Sequence, residues 1–434
     1  MNRYATYKDS GIPWLGEVPE HWETWKITHT IDLIGSGTTP KSDNAEYYDG
    51  DVLWVTTSEL RENFISDTKQ KVSDRAIKDC SALKIYPVNS VAMAMYGATI
   101  GRLGILEKEA TFNQACCVFG VSKILYYKFL FYWLWHRRPI LISLSNGGGQ
   151  PNLSQDDLKK LKLPIPSYEE QIFIAHYLDI KLGEIDALVS KQQTLLEKLA
   201  EQRTAVITHA VTKGLDPAAA MKNSGVEWLG NVPAHWDVKK FKHLCKIITG
   251  YTPSKNNDEN YDENGFLWVK PDNLNDFKEI SYTKEKISVI GLKSNYLIPK
   301  DSILVCSIGT IGKMGVAMQD VITNQQINSF IFNELVNKSF SKYLIYSAKG
   351  IFEHMANDNV VRILNSNTQK NIFSPLPPLV EQAEIADYLD QETAKIDRLC
   401  DTVNQTIGRL KEYRTALITH TVTGKIKVTD EQRI

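Results

Sequence analysis

Ser10-Gly11-Ile12-Pro13-Trp14-Leu15-Gly16-Glu17-Val18-Pro19-Glu20-His21-Trp22 returns as Ser224-Gly225-Val226-Glu227-Trp228-Leu229-Gly230-Asn231-Val232-Pro233-Ala234-His235-Trp236, an offset of 224 − 10 = 214. A second phrase recurs with it. Arg203-Thr204-Ala205-Val206-Ile207-Thr208-His209 reappears as Arg414-Thr415-Ala416-Leu417-Ile418-Thr419-His420, an offset of 414 − 203 = 211. Two phrases repeated in the same order at nearly the same spacing identify a tandem duplication.

The duplicated unit carries a long helix. Leu178, Leu182, Ile185, Val189, Gln192, Leu196, Leu199, Arg203 and Val206 follow one another by alternating steps of four and three residues. That is the period of a coiled-coil seam. Adding 211 gives Leu389, Thr393, Ile396, Cys400, Val403, Ile407, Leu410, Arg414 and Leu417, again mostly apolar. Between Glu169 and Thr212 there is no proline and one glycine, Gly183, so a helix of roughly 65 Å is predicted at 1.5 Å per residue. Pro164 and Pro166 precede the first helix; Pro375, Pro377 and Pro378 precede the second. The polar seam residues Gln192, Arg203, Thr393, Cys400 and Arg414 are read as fixing the pairing register.

Ahead of each helix lies a block of domain size, about 130 residues. The two blocks share turns and short apolar runs: Gly37-Thr38-Thr39-Pro40 with Gly250-Tyr251-Thr252-Pro253, Leu53-Trp54-Val55 with Leu267-Trp268-Val269, Gly97-Ala98-Thr99-Ile100-Gly101-Arg102 with Gly309-Thr310-Ile311-Gly312-Lys313, and Asn113-Gln114 with Asn324-Gln325. Strand-like runs such as 91–95 and 303–307, mixed with a helical stretch over 123–137, predict an α+β fold. The division expected is a first globe over 1–167, a helix and linker over 168–222, a second globe over 223–378, and a helix and tail over 379–434. A compact block returns the chain near its start. The second helix should therefore run antiparallel to the first, giving a pseudo-twofold dumbbell. The segment after Thr423 should approach 9–22, as Thr212 approaches Asn223. Trp54 and Trp268 are expected in the core.

Composition narrows the function. The 434 residues are 43% hydrophobic and 23% charged, with a net charge of −1, as in a globular protein without a global basic field. Six cysteines, with Cys116 and Cys117 adjacent, form no C-x-x-C pair or zinc pattern, and reduced thiols point to the cytoplasm. The polar N-terminus carries no signal peptide. Residues 129–144 are apolar, yet His136, Arg137, Arg138 and Pro139 interrupt them, so a buried or amphipathic helix is expected and no membrane association.

Enzyme motifs fail one by one. No N-P-P-[FY] loop or cofactor glycine loop for base methylation occurs. Ser307 and Met314 break the phosphate-loop pattern around Gly312-Lys313. Pro271-Asp272 with Asp276-Phe277-Lys278 only echoes a nuclease site. His21, His235, His209 and His420 lack metal spacing and are expected to satisfy backbone groups where helix meets globe. Two globes on a rigid rod suit a DNA site of two separated parts, but from spacing alone a scaffold gripping two proteins is the more ordinary reading, and both stay open.

The S-G-x-x-W-L-G-x-V-P-x-H-W phrases, the T-P turns, the A-T-I-G-R and G-T-I-G-K turns, the Glu170-Gln171 and Glu381-Gln382 pairs after L-P-I-P and L-P-P, and the R-T-A-x-I-T-H repeats together resemble the specificity subunits of type I restriction-modification systems, over nearly the whole chain. The resemblance implies a non-catalytic subunit with two target recognition domains, each reading one half of a split asymmetric site on double-stranded DNA. It implies two methyltransferase (modification) subunits and restriction/translocase subunits as partners. S-adenosylmethionine, ATP and magnesium would then belong to those partners, with no cofactor in this chain. Ile180, Leu188, Leu195 and Ile207 lie off the seam, so further helices from two partners are expected to cover them.

For base and phosphate contact the useful side chains are Arg, Lys, Asn, Gln, Ser and Thr on loops. The candidates in the first globe are Thr39, Lys41, Thr57, Ser58, Thr99, Arg102, Asn113 and Gln150, the last after Asn146-Gly147-Gly148-Gly149. In the second they are Thr252, Lys255, Lys270, Asn273, Thr310, Lys313, Asn324 and Arg362. Arg102 and Lys313, each following a glycine turn, are the preferred phosphate contacts.

Overall fold

The computed structural model describes residues 3–143, 152–293, 296–357 and 361–428. The chain forms two compact units, one of residues 1–192 with 405–434 and the other of residues 193–404. Each unit therefore takes one globe together with parts of both long helices, Tyr168–Lys213 and Leu379–Val422.

Within the first unit a five-stranded sheet runs in the order Ile34–Ser36, Cys116–Phe119, Val91–Ala94, Leu103–Leu106, Asn63–Ile65, antiparallel except for the last, parallel pair. The second unit repeats this as Cys245–Thr249, Ile327–Phe332, Ile303–Cys306, Met314–Ala317, Lys278–Ile280. A three-stranded sheet accompanies each: Ala110–Phe112, Val52–Val55 and Lys71–Val72 in one, Val321–Thr323, Tyr261–Val269 and Lys286–Ile287 in the other.

The central strands read as unbroken apolar runs because both faces are covered. Val91 and Met93 join the large core with Phe129, Trp133 and Leu178, while Ala92 and Ala94 face a second cluster with Leu53, Val55 and Phe112. Ile303 and Val305 divide in the same way from Leu304 and Cys306. This is the two-residue alternation of a strand. The helix expected over 123–137 runs from Tyr127 to Ser143, and no helix among the described residues is long and apolar enough to cross a membrane. Trp54 and Trp268 are buried.

Each core also buries the ends of the long helices. In the first unit Leu178, Leu182 and Ile185 share a cluster with Leu417, Ile418 and Val422. In the second, Ile207, Ala210 and Val211 share one with Ile385, Ala386 and Leu389. The helices run antiparallel, and none of the seam positions is exposed. Arg414 Nε donates to Asp186 Oδ1 at 3.2 Å in the first unit, and Arg203 pairs with Asp397 in the second. These pairs are repeat images of each other, 397 − 186 = 414 − 203 = 211, so each seam arginine meets an aspartate of the opposite helix at the equivalent place in its unit.

The Glu-Gln pairs tie helix to globe. Gln171, wholly buried, accepts from the Tyr126 N–H at 2.8 Å and donates to the carbonyls of Ile124 and Pro166 at 2.9 and 3.0 Å. Gln382 does the same with Asn337, Leu335 and Pro377 at 2.7, 2.9 and 2.8 Å. Glu170 receives Tyr4 Oη–H and pairs with His21 at 3.0 Å; Glu381 receives Trp236 Nε1–H and pairs with His235 at 2.6 Å. His21 and His235 thus meet carboxylates in the first helical turn rather than the backbone groups expected from sequence. The chain ends clasp as the repeat requires: Lys425 Nζ donates to the Glu17 carbonyl at 2.6 Å in the first unit, and Lys213 Nζ to that of Leu229 at 2.9 Å in the second.

Candidate nucleic-acid interface

In each unit the candidate loops gather where two parallel strands end. Val55 lies beside Phe112 and Val269 beside Thr323, and the chain leaves each pair into polar turns. Gly37 and Gly250 let a third loop approach. A Cβ on Gly37 would lie 1.6 Å from the Phe112 carbonyl oxygen, and one on Gly250 2.1 Å from that of Thr323; no side chain fits there. The loop that follows is pinned by Thr39 Oγ1–H donating to Gln114 Oε1 at 2.5 Å, and by Thr252 donating to Gln325.

The glycine turn after the central strand lies next to this cluster, since Met95 N–H donates to the Ala115 carbonyl at 2.8 Å. Gly101 and Gly312 hold φ of +75° and +80°, the left-handed conformation that glycine takes at least cost. Thr99 and Arg102 belong to this turn in the first unit, Thr310 and Lys313 in the second. Lys313 Nζ donates at 3.4 Å to the Pro271 carbonyl, joining two candidate turns. Arg102 has no ion pair or side-chain hydrogen bond among the described residues. A cation of this kind on a loop is available to a phosphate.

Other candidates serve their own turns. Asn113 Oδ1 accepts from the Ala115 N–H at 3.1 Å, Asn273 Oδ1 from that of Lys270 at 2.8 Å, and Asn324 Oδ1 from that of Gln326 at 3.1 Å. Asn324 is 6% exposed, and its amide N–H donates to Gln326 at 3.0 Å. These asparagine oxygens shape turns. Lys270 is held by Glu285 at 2.6 Å over the Trp268 ring. Thr310 Oγ1–H reaches only Cys306 Sγ, at 3.5 Å, and Arg362 donates to the Glu353 carbonyl. Thr57 and Ser58 stand in a turn organised by Glu59, whose Oε2 accepts from the Thr56 N–H at 2.9 Å. Lys41 and Lys255 are exposed. Gln150 lies outside the described residues.

Sequence reading missed Gln114 and Gln325. The signal was in the repeated Asn-Gln pairs, of which the asparagine faces its own backbone and the glutamine the loop. The nuclease echo dissolves as well: Asp276 accepts from the Met314 N–H at 3.1 Å and pairs with Lys349 at 2.9 Å. Burial pushes the Cys117 thiol up to about 12 and Cys116 higher still, far from nucleophilic at neutral pH. No group of three or more possible metal ligands occurs among the described residues.

Residues 19–198 and 233–408 match the family model of the type I restriction modification DNA specificity domain. The chain belongs to that family. Sequence-specific DNA recognition within a type I restriction-modification system is the function of this specificity subunit. It is 26% identical over 429 residues to the type I restriction enzyme MjaVIII specificity subunit of Methanocaldococcus jannaschii, covering 95% of this chain and 94% of that one. To the StySPI specificity subunit of Salmonella potsdam it is 23% identical over 432 residues, covering 95% and 90%. Among solved structures, a chain from a study of complex assembly and conformational transition of the type I R-M system superposes with a TM-score of 0.73 at 15% identity, covering 94% of this chain and 99% of that one. The HsdS subunit from Thermoanaerobacter tengcongensis superposes at 0.53 and 16% identity, covering 94% and 98%. At these identities the structural likeness speaks to the fold. The specificity subunit is thus a mixed α+β protein built from two like units with long antiparallel helices.

Proposed function

We propose that each unit reads one half of a bipartite, asymmetric site on double-stranded DNA through the loops at its parallel-strand ends. The recurrence of the threonine–glutamine clasp at Gly37–Gln114 and Gly250–Gln325 carries this reading. It sets the same loop in both units while the side chains around it differ: Arg102 against Lys313, and Thr56 against Lys270. A constant frame with variable polar tips suits two readers of different sequences. Thr39, Lys41, Thr57, Ser58, Thr99, Arg102, Asn113 and Gln150 in one unit and Thr252, Lys255, Lys270, Asn273, Thr310, Lys313, Asn324 and Arg362 in the other remain proposed contacts.

The chain itself is proposed to be non-catalytic, directing adenine N6-methylation and restriction by partner subunits that hold S-adenosylmethionine, ATP and magnesium. Two methyltransferase subunits are proposed per chain, because Leu188 and its repeat image Leu399 stand 46% and 52% exposed, one in each unit. Ile207, expected on that face, is wholly buried in the core of its own unit.

Genome-wide mapping of N6-methyladenine in cells carrying this chain with its methyltransferase tests the reading. Gln114→Ala is expected to relax base preference in one half-site by about 1–3 kcal/mol of discrimination and to spare the other; Gln325→Ala is expected to do the reverse. Equal changes in both half-sites from either variant would defeat the division of labour.

A further inference from the structure

Beneath the candidate loops of the second unit a chain of polar side chains enters the core. Thr249 Oγ1–H donates to Asn328 Oδ1 at 2.7 Å, and Asn328 Nδ2–H donates to Gln369 Oε1 at 2.6 Å, with the Leu364 carbonyl 3.5 Å from the same nitrogen. Asn328 is 1% exposed and Gln369 is wholly buried. Gln369 Nε2 finds no hydrogen-bond partner among the described residues. A buried amide group without a partner costs stability, so stability alone does not account for this chain.

The fold does not demand amides at these places. The repeat puts Cys117 and Leu158 where Asn328 and Gln369 stand, 328 − 117 = 369 − 158 = 211. Strand pairing agrees: Cys117 lies between Ser36 and Met93 as Asn328 lies between Thr249 and Val305. Cys117 and Leu158 both belong to the first unit's large apolar core. That unit ties the helix Gln155–Lys159 to its edge strand through another residue, Gln155 Nε2–H donating to the Ile34 carbonyl at 3.2 Å; the second has Ser366 at that position.

What the chain joins supplies a reason. Thr249 directly precedes Gly250, and Asn328 follows Gln325 by 328 − 325 = 3 residues, so two of its members stand beside the threonine–glutamine clasp. Gln369 belongs to the helix Ser366–Asn371, which the segment 361–365 enters. That segment runs along the glycine turn: the Leu364 N–H donates to the Ser307 carbonyl at 2.9 Å, and the Gly309 N–H to the Arg362 carbonyl at 3.0 Å. Apolar burial is non-directional, whereas hydrogen bonds weaken steeply as they bend. Two in series therefore fix where this helix sits on the sheet. We propose that Asn328 and Gln369 are positioning residues for base specificity in the second unit, locking the segment that carries Arg362 to the strands that carry the clasp. The proposal rests on the reading of those loops as the DNA readers.

Thermal unfolding of the full chain and N6-methyladenine mapping in cells that also carry its methyltransferase test this together. Asn328→Cys alone leaves the Gln369 carbonyl buried and unpaired, and should lower Tm by on the order of 3 °C. Adding Gln369→Leu installs the first unit's apolar pair and should restore Tm to within about 1 °C. The share of methylated sites with a wrong base in the second half should still rise on the order of tenfold in the double variant, with the first half unchanged. A merely structural role predicts that discrimination returns with Tm. Thr249→Val, half-buried and equal in volume, unhooks Asn328 without emptying the core, and should relax the second half on the order of threefold. Natural discrimination in Thr249→Val or in the double variant, or equal loss in both halves, overturns the proposal. Gln325→Ala separates it from the reading beneath it. If Gln325→Ala relaxes the second half and these variants do not, the positioning role alone fails; if none of them does, the loops are not the readers and the proposal falls with them.

Discussion

Gln382, itself wholly buried, satisfies three backbone groups with one amide. Each such hydrogen bond contributes about 1 kcal/mol net, and each group left unpaired costs more. Gln382→Leu is therefore expected to destabilise the second unit by about 3–5 kcal/mol in urea unfolding; a loss within about 0.5 kcal/mol would refute the anchoring role. The Arg203–Asp397 pair looks stronger on paper, but its aspartate is 59% exposed, and such pairs contribute about 1 kcal/mol or less. Neutral amides hold the helix to the globe while charges set its register. In the sequence Glu-Gln was visible only as a repeated dipeptide, because nothing local shows that its partners lie about 45 residues away. The candidate asparagines each accept from a nearby backbone N–H, Asn113 and Asn324 from one two residues on and Asn273 from one three residues back, whereas Gln114 and Gln325, one methylene longer, cross to another loop.

At the scale of the element, the long helices were the most legible part of the chain. A seam alternating four and three residues admits one geometry, and Tyr168–Lys213 and Leu379–Val422 follow it. Off-seam residues were less legible, since burial there depends on what the globe brings up: Ile207 is covered by its unit, Leu188 and Leu399 are not. Those two leucines give a graded prediction. Leu188→Glu or Leu399→Glu alone should leave one methyltransferase subunit bound per chain by mass measurement of the purified complex, and the double variant none. Full occupancy in the double variant would move the docking surface elsewhere. Short strands were foreseen only as apolar runs, because pairing order is a non-local property: the parallel partners Asn63–Ile65 and Leu103–Leu106 are separated in sequence by two other strands, Lys71–Val72 and Val91–Ala94.

For the molecule as a whole, 50 basic residues stand against 51 acidic ones, and carboxylates such as Glu59 and Glu285 sit among the candidate loops. Phosphate neutralisation by this chain alone should be slight. The isolated chain is expected to bind its site more weakly than about 10⁻⁸ M at physiological salt and to lose affinity steeply as salt rises; nanomolar binding measured by fluorescence anisotropy would contradict this. The duplication and the α+β character were legible at this scale because repeats and composition survive without knowledge of contacts. The grouping of residues into units was not, since it takes parts of both helices into each.

That grouping has a consequence during synthesis. On the ribosome the globe of the first unit emerges before that of the second, but Leu417, Ile418 and Val422, which close its core, follow every part of the second unit. The second unit, made of residues 193–404, has all its parts earlier. The order of completion is thus the reverse of the order of translation, and the first core waits, partly uncovered, for residues beyond 404. A message ending prematurely just past residue 404 would release one finished unit and one whose core lacks its lid, a ready target for quality control.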